Sequence, residues 1–371
     1  MMVKGSHRLH ALCSYFAMFP GYFARGHIRN HSAPGELILD PFSGRGTTLL
    51  ESLLTQRNAV ASDPNPVAYC ITRAKSKSLQ PQSVLDRITE LEAEFVETPT
   101  ADLEEERGFL PRFFKHAYYH TTLREILFLR RHLRWHTDTI DCFISALLLG
   151  CLHGERDKSP CCLSNQMPRR ISTKPEYSVK YWREHDLYPH KRATFEILRR
   201  WSRFRLKQGA PQKTALALQE DVRDLSRRLP FMEGKVKAVI TSPPYFNTTS
   251  FAEDQWLRLW VLGGANHPTR AGASKDDRHT SRYKYWRFIA DAWRGIAPLL
   301  ASDATIVCRV GLHGHSMEDV CRNMVASVRA SIPSATLYGS PLLTTPSADT
   351  GRQQLSEHSQ YGELDFIFRM A

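Results

Sequence analysis

The sequence predicts an α/β protein: a doubly wound, mostly parallel sheet of about seven strands, split after its second strand by a mostly helical insertion. Three observations predict it. Short apolar runs bounded by turn residues alternate with amphipathic stretches of helix length towards both ends of the chain, the pattern of βα units. A glycine-bearing turn, Phe42–Thr48, joins the first of those runs to a helix. Between about Gln80 and Lys213 the rhythm lapses into helical patterning and then resumes.

The elements follow in order. Glu36–Asp40 (ELILD) reads as the first strand, Thr48–Gln56 as a helix, and Ala59–Ser62 as a second strand ending at Asp63. A helix runs from about Pro66 to Lys77, with Pro66 in the first turn, where its missing N–H costs nothing. The insertion reads as one acidic helix at Val84–Glu106, a basic one at Leu123–Trp135 and an apolar one at Thr139–Leu152. A loop rich in Pro, Arg and aromatics spans Gly154–Pro189, and a basic helix covers Lys191–Lys207. The α/β pattern returns with strands at Ala215–Gln219 and Val236–Thr241, a helix at Ser281–Leu300, a strand at Thr305–Val310 and a helix at Met317–Ser331. Closing strands lie at Ala335–Leu342 and Glu363–Arg369. Residues 1–79 and 214–371 therefore form one domain, and residues 80–213 the insertion.

A length of 371 residues suits about two domains, or one domain with a large insertion. With 42% hydrophobic and 24% charged residues the chain can bury a core, which excludes overall disorder. The longest apolar run, Ile140–Leu152, is interrupted by Asp141 and too short to span a bilayer, so no membrane partner is expected. The N-terminal stretch lacks a signal-peptide cleavage site. The eight cysteines form no C-x-x-C pair and read as reduced thiols in a cytoplasmic protein. Cys151, His153, Cys161 and Cys162 fit no standard zinc spacing, and no metal is expected. A net charge of +12 favours a polyanionic partner, nucleic acid or an anionic surface. Most of the excess lies in the insertion: 15 Lys and Arg face 6 Asp and Glu between Cys151 and Lys213, with aromatics interleaved. Such a segment suits phosphate contact, with Arg169, Arg170 and Lys174 as candidate groove residues, and the insertion is read as a target-recognition region for nucleic acid in preference to a solvated basic face.

Two turns carry the chemistry. In Asp40-Pro41-Phe42-Ser43-Gly44-Arg45-Gly46-Thr47-Thr48 a strand ends in a carboxylate and runs through G-x-G into a helix, which lets a ligand lie against bare backbone. Asp63 ends the next strand, where a carboxylate takes a ribose diol, and Asp221 ends the third, where it can meet a base amine. Without G-K-[ST] the turn is no triphosphate loop. The second turn, Thr241-Ser242-Pro243-Pro244-Tyr245, leaves the fourth strand directly. Its prolines stiffen the loop and remove two N–H donors, leaving a hydroxyl, free carbonyls and an aromatic ring to grip an NH₂ group on a flat base.

Together, DPFSGRGTT and TSPPY resemble the motif pair of the DNA amino-methyltransferases, which methylate cytosine N4 or adenine N6 with S-adenosyl-L-methionine. His10–Ile28, Ser62–Pro66, Asp221–Leu225 and Phe251–Gly263 resemble further segments of that family, so the likeness covers about the first 80 residues and most of 215–371. It implies a Rossmann-like methyltransferase sheet. It also implies that Phe19, Pro20, Asp40, Phe42, Gly44, Gly46 and Thr47 lie at the methionine half of the cofactor, Asp63 at its ribose and Asp221 at its adenine. Ser242, Pro243, Pro244 and Tyr245 would be catalytic: Ser242 and the Pro243 carbonyl accepting from the target amine, Tyr245 stacking on a flipped base. Serine at the first position favours cytosine N4 in double-stranded DNA. Adenine N6, an RNA amine, and a nucleic-acid-binding protein with an inactive methyltransferase fold remain as alternatives. The resemblance leaves room for a cognate restriction or defence nuclease as partner, and for a prokaryotic or phage-like, nucleoid-associated setting.

Overall fold

The computed structural model describes residues 6–15, 19–154, 160–167, 174–246, 251–269, 281–312, 315–344 and 362–370. Its first half begins with α1 (Gly21–His31), β1 (Leu37–Asp40), α2 (Thr47–Leu54), β2 (Asn58–Ser62) and α3 (Pro66–Arg73). The insertion supplies α4 (Pro81–Glu97), α5 (Thr100–Phe109), α6 (Arg112–Ala117), α7 (His120–His132), α8 (Thr139–Cys151), α9 (Pro175–Glu184) and α10 (Thr194–Leu206). Then follow β3 (Leu216–Leu218), α11 (Leu225–Arg228), β4 (Val236–Thr241), α12 (Phe251–Asp254), α13 (Trp256–Val261), α14 (Arg282–Ile296), β5 (Leu300–Gly311) and α15 (Met317–Ser331). The chain closes with β6 (Ala335–Leu337), β7 (Leu342–Thr344) and β8 (Glu363–Met370).

Eight strands form one sheet in the order β3-β2-β1-β4-β5-β8-β6, with β7 also on β8. The first five are parallel, and β8 runs antiparallel between β5 and β6. This is a doubly wound, mostly parallel sheet of the Rossmann-like kind the sequence predicts. The chain order reverses between β1 and β4, so a crevice opens at their carboxyl ends, the usual ligand position in such sheets. The antiparallel course of β8 has a second effect: its first residue, Glu363, pairs with Gly311 at the carboxyl end of β5 and so reaches the same edge.

The central strands are buried on both faces, as parallel strands flanked by helices must be. One core cluster joins β4, β5 and β8 to α14 and α15. Another joins α3 to the insertion helices α4, α6, α7, α8 and α10, and takes in α13 from far along the chain. Trp256 and Trp260 of α13 pack against Phe113 and Phe114 of α6, with ring centroids 5.0 Å and 4.4 Å apart for Phe113–Trp256 and Phe114–Trp260. The insertion thus shares its core with the helix that follows the Ser-Pro-Pro-Tyr turn.

Three sequence expectations need correction. The acidic helix is two, α4 and α5, because Pro99 disfavours a helical Thr98, which is extended (φ −70°, ψ 130°). The strand expected at Ala335–Leu342 is two short ones, parted by Gly339 at φ +70°. Within the Gly154–Pro189 segment read as a loop, Pro175–Glu184 is a helix, α9, with Pro175 in its first turn. With the split strand counted twice, the sheet of about seven strands has eight. Among the described residues no helix is long and apolar enough to cross a membrane.

Candidate active site

The glycine turn is built by backbone needs that only glycine meets easily. Gly44 and Gly46 have φ +49° and +70°, and a Cβ on Gly46 would stand 2.9 Å from Thr72 Oγ1 and 3.1 Å from its Cα. The turn is therefore pressed against α3, and Gly46 is the N-cap of α2. Its backbone is held from several sides. Gly44 N donates to Asp63 Oδ2 (3.0 Å), Thr72 Oγ1 donates to Gly44 O (3.1 Å), and the buried Lys75 ammonium donates to Arg45 O. Burial drives the Lys75 pKa well below the usual lysine range.

Two side-chain bonds lock this turn to the Ser-Pro-Pro-Tyr loop. Thr48 Oγ1 donates to Ile240 O (2.9 Å), and Thr241 Oγ1 donates to Asp40 Oδ1 (2.7 Å). Asp40 is 2% exposed, and burial raises its carboxyl from 3.8 to about 6 against the opposing hydrogen bonds of Thr241, Thr48 and Phe42 N. Asp40 thus sits beneath the turn and braces the ends of β1 and β4.

The other candidate cofactor residues ring the crevice. Asp63 is half-buried and accepts from Gly44 N and Asn65 N, both at 3.0 Å. Asp221 caps the turn after β3 and is paired bidentately with Arg223 (2.9 and 2.8 Å). Phe42 is half-buried and meets Phe288 edge-on at 6.0 Å. Thr47 is buried and accepts from Arg45 Nε (3.2 Å). Phe19 packs in the cluster of Phe23, Ile38, Ile240 and Val307 beneath β1 and β4, and Pro20 precedes α1.

The Ser-Pro-Pro-Tyr loop departs from the open stacking platform that the motif implies. Tyr245 is 4% exposed, and a buried phenol needs a partner for its O–H. Its hydroxyl donates to Glu363 Oε1 (2.5 Å) and accepts from Ser242 Oγ (3.2 Å). Glu363 faces Arg309 at 3.5 Å, and Arg309 is held bidentately by Asp365 (2.6 and 2.7 Å) with its guanidinium over the Phe23 ring at 3.9 Å. Ser242 and Pro244 are half-buried and Pro243 is buried.

Motif reading missed Glu363, Arg309 and Tyr15. Tyr15 lies along the glycine turn, 3.4 Å from where a Gly44 Cβ would stand, and accepts from Asn65 Nδ2 at 3.4 Å. Its only sequence signal was membership of the His10–Ile28 segment; Glu363 and Arg309 had none. Of the candidate DNA contacts, Arg169 and Arg170 lie outside the described residues, and Lys174 is exposed at the N-cap of α9.

Fold and site define a doubly wound α/β domain with a glycine turn and a Ser-Pro-Pro-Tyr loop at the carboxyl edge of its sheet. Residues 4–73 match the model of the N6_N4_Mtase family, described as DNA methylase, and that match supports the resemblance to the N4/N6 DNA methyltransferases. No curated protein matches the chain. Among solved structures, TrmN from Thermus thermophilus is similar at 12% identity and TM-score 0.35, covering 98% of this chain and 52% of its own. The rRNA methyltransferase aviRa from Streptomyces viridochromogenes is similar at 13% identity and TM-score 0.36, covering 98% of this chain and 91% of its own. The chain spans about half the length of TrmN.

Proposed function

We propose that this protein transfers a methyl group from S-adenosyl-L-methionine to the exocyclic amine of a base flipped from double-stranded DNA, cytosine N4 in the first instance. The observation that carries the reading is the direction of the hydrogen bonds in Ser242–Tyr245–Glu363. An ionised carboxylate can only accept, so Tyr245 must donate to Glu363 and Ser242 to Tyr245. The lone pairs of Ser242 Oγ are then left as acceptors at the carboxyl edge of the sheet. A flipped cytosine would present an NH₂ group, which donates.

The crevice fits the cofactor. Gly44 and Gly46 bare the backbone of the turn, Asp63 sets a carboxylate against it through Gly44 N, and Phe42 offers a half-buried ring. Phe42, Gly44, Gly46, Thr47 and Asp63 would hold it, with Asp40 supporting the turn from below and Asp221 near the base once shared with Arg223. The group supplies a methyl on a sulfonium, already activated without a metal. The amine is a weak nucleophile because its lone pair is delocalised into the ring. Hydrogen bonds to Ser242 Oγ and the Pro243 carbonyl would hold its nitrogen pyramidal, and positioning of that kind supplies much of the barrier reduction. After transfer the acidic N–H gives its proton to Ser242 Oγ, whose own proton passes to Tyr245 and that of Tyr245 to Glu363. Each bond broken on one oxygen is formed on the next.

The test is incubation of the purified protein with methyl-labelled cofactor and mixed-sequence duplex DNA, followed by mass spectrometry of the nucleosides. N4-methylcytosine is the expected product. N6-methyladenine alone would overturn the base assignment, and labelled RNA without labelled DNA would overturn the substrate.

A further inference from the structure

The basic charge of the insertion is gathered on one helix. α10 buries Phe195, Leu198, Ser202 and Leu206 against the core and turns Arg200, Arg203 and Lys207 outward. These positions repeat at three and four residues, so they share a face about 10 Å long at 1.5 Å per residue. With Arg8, Glu196, Arg199 and Phe204 they line an open groove of about 820 Å³, in which one carboxylate faces five cationic side chains.

Two features mark this face. Exposed arginines on other helices are either paired with an acid one turn away, as Arg294 is with Asp291 and Arg322 with Asp319, or stand singly, whereas here three cations fall on one helical face. Arg199, on the same groove, is paired with Glu92. Arg200, Arg203 and Lys207 have no ion pair among the described residues, although Glu196 stands one turn before Arg200. The groove is also tied to the glycine turn. Arg8 lies over the Phe204 ring at 4.2 Å and donates to Phe204 O (3.2 Å), while its own N–H donates to Gln208 Oε1 (2.7 Å). From Arg8 the chain runs to Tyr15, beside Gly44. Those seven residues span at most about 25 Å, so phosphates held in the groove lie within one duplex diameter or so of the crevice.

We propose that the α10 face, with Arg200, Arg203 and Lys207 as its contacts, is the docking surface for the sugar-phosphate backbone of duplex DNA. The proposal rests on the functional reading above. A duplex carries one negative charge per about 1.7 Å of axis, so a row of three unpaired cations about 10 Å long meets several phosphates whatever the sequence. The face grips and orients; sequence is read elsewhere.

The experiment measures binding of a fluorescent duplex over a range of salt concentrations for the wild type and for Arg200→Gln/Arg203→Gln/Lys207→Gln, with cofactor affinity followed by calorimetry. Each lost phosphate contact lowers the log–log salt slope by about 0.9, so the triple variant should lose about 2.7 and keep its cofactor affinity and its turnover at saturating DNA. Circular dichroism checks the fold, and Arg203→Glu alone, expected to weaken DNA binding beyond its share of the triple, provides an independent reading. An unchanged slope in a variant that still methylates DNA overturns this surface and leaves the function standing. A wild type that binds duplex RNA in preference to DNA overturns the occupant. A wild type that neither binds nor methylates DNA overturns both.

Discussion

Replacing Glu363 by Gln should slow turnover without weakening either ligand. The substitution preserves size and leaves Arg309 its bidentate partner Asp365, so the β5–β8 pairing should survive. What changes is direction. The Gln amide can donate to Tyr245, which frees Tyr245 to donate to Ser242, which in turn aims its O–H at the target amine. The amine then meets a donor where it needs an acceptor. A hydrogen bond to a charged or charging group is worth about 1.5–3 kcal/mol, which corresponds to about a tenfold to somewhat over a hundredfold loss of kcat. Because the lost interaction matters most as the nitrogen becomes tetrahedral, the Kd values for DNA and cofactor should stay within about twofold. Tyr245→Phe should produce a loss of similar size by cutting the same chain at its middle, although a role limited to stacking would leave that variant nearly active. The double variant should be no slower than the worse single one, because both act through Ser242. Single-turnover rates and calorimetric affinities on the four proteins measure all of this. Full turnover in Glu363→Gln, or losses that simply multiply in the double variant, would refute the directional argument.

The remaining expectations are shorter. Ser242→Ala should lower kcat with little change in DNA or cofactor affinity, and normal turnover would remove the acceptor from the mechanism. Asp63→Ala should weaken cofactor binding, since Gly44 N loses its acceptor and a ribose would lose another; unchanged calorimetric affinity would count against the site. Gly46→Ala forces a side chain into φ +70° beside Thr72 and should cost about 1–3 kcal/mol in denaturant titration. Asp40 holds its proton more tightly in the folded state (about 6) than an ordinary aspartate does (3.8), so its contribution is fully present below 3.8 and is lost as pH rises through about 6. Asp40→Asn should therefore lack a decline of order 3 kcal/mol across that window, read as the difference between wild-type and variant melting curves.

Much of the site was legible because its causes are local. Gly44 and Gly46 are required by a turn a few residues long, the two prolines stiffen the loop they stand in, and Asp40, Asp63 and Asp221 each close or follow a strand that can be read from its own apolar run. The doubly wound class followed from the same alternation, and the break at Pro99 was available in principle from one residue's stereochemistry. Glu363 was not legible. It lies 118 residues from Tyr245 and reaches it only because β8 runs antiparallel beside β5, a pairing decided by the packing of whole elements. Arg309, with Asp365 opposite it, depends on the same register. Composition located a basic insertion, but the unpaired face of α10 emerges only when helix phase and each carboxylate's choice of partner are known. Short-range stereochemistry is written residue by residue in the sequence. Which distant side chains share a buried hydrogen bond depends on strand register and helix packing, and those are settled by the free energy of the assembled core.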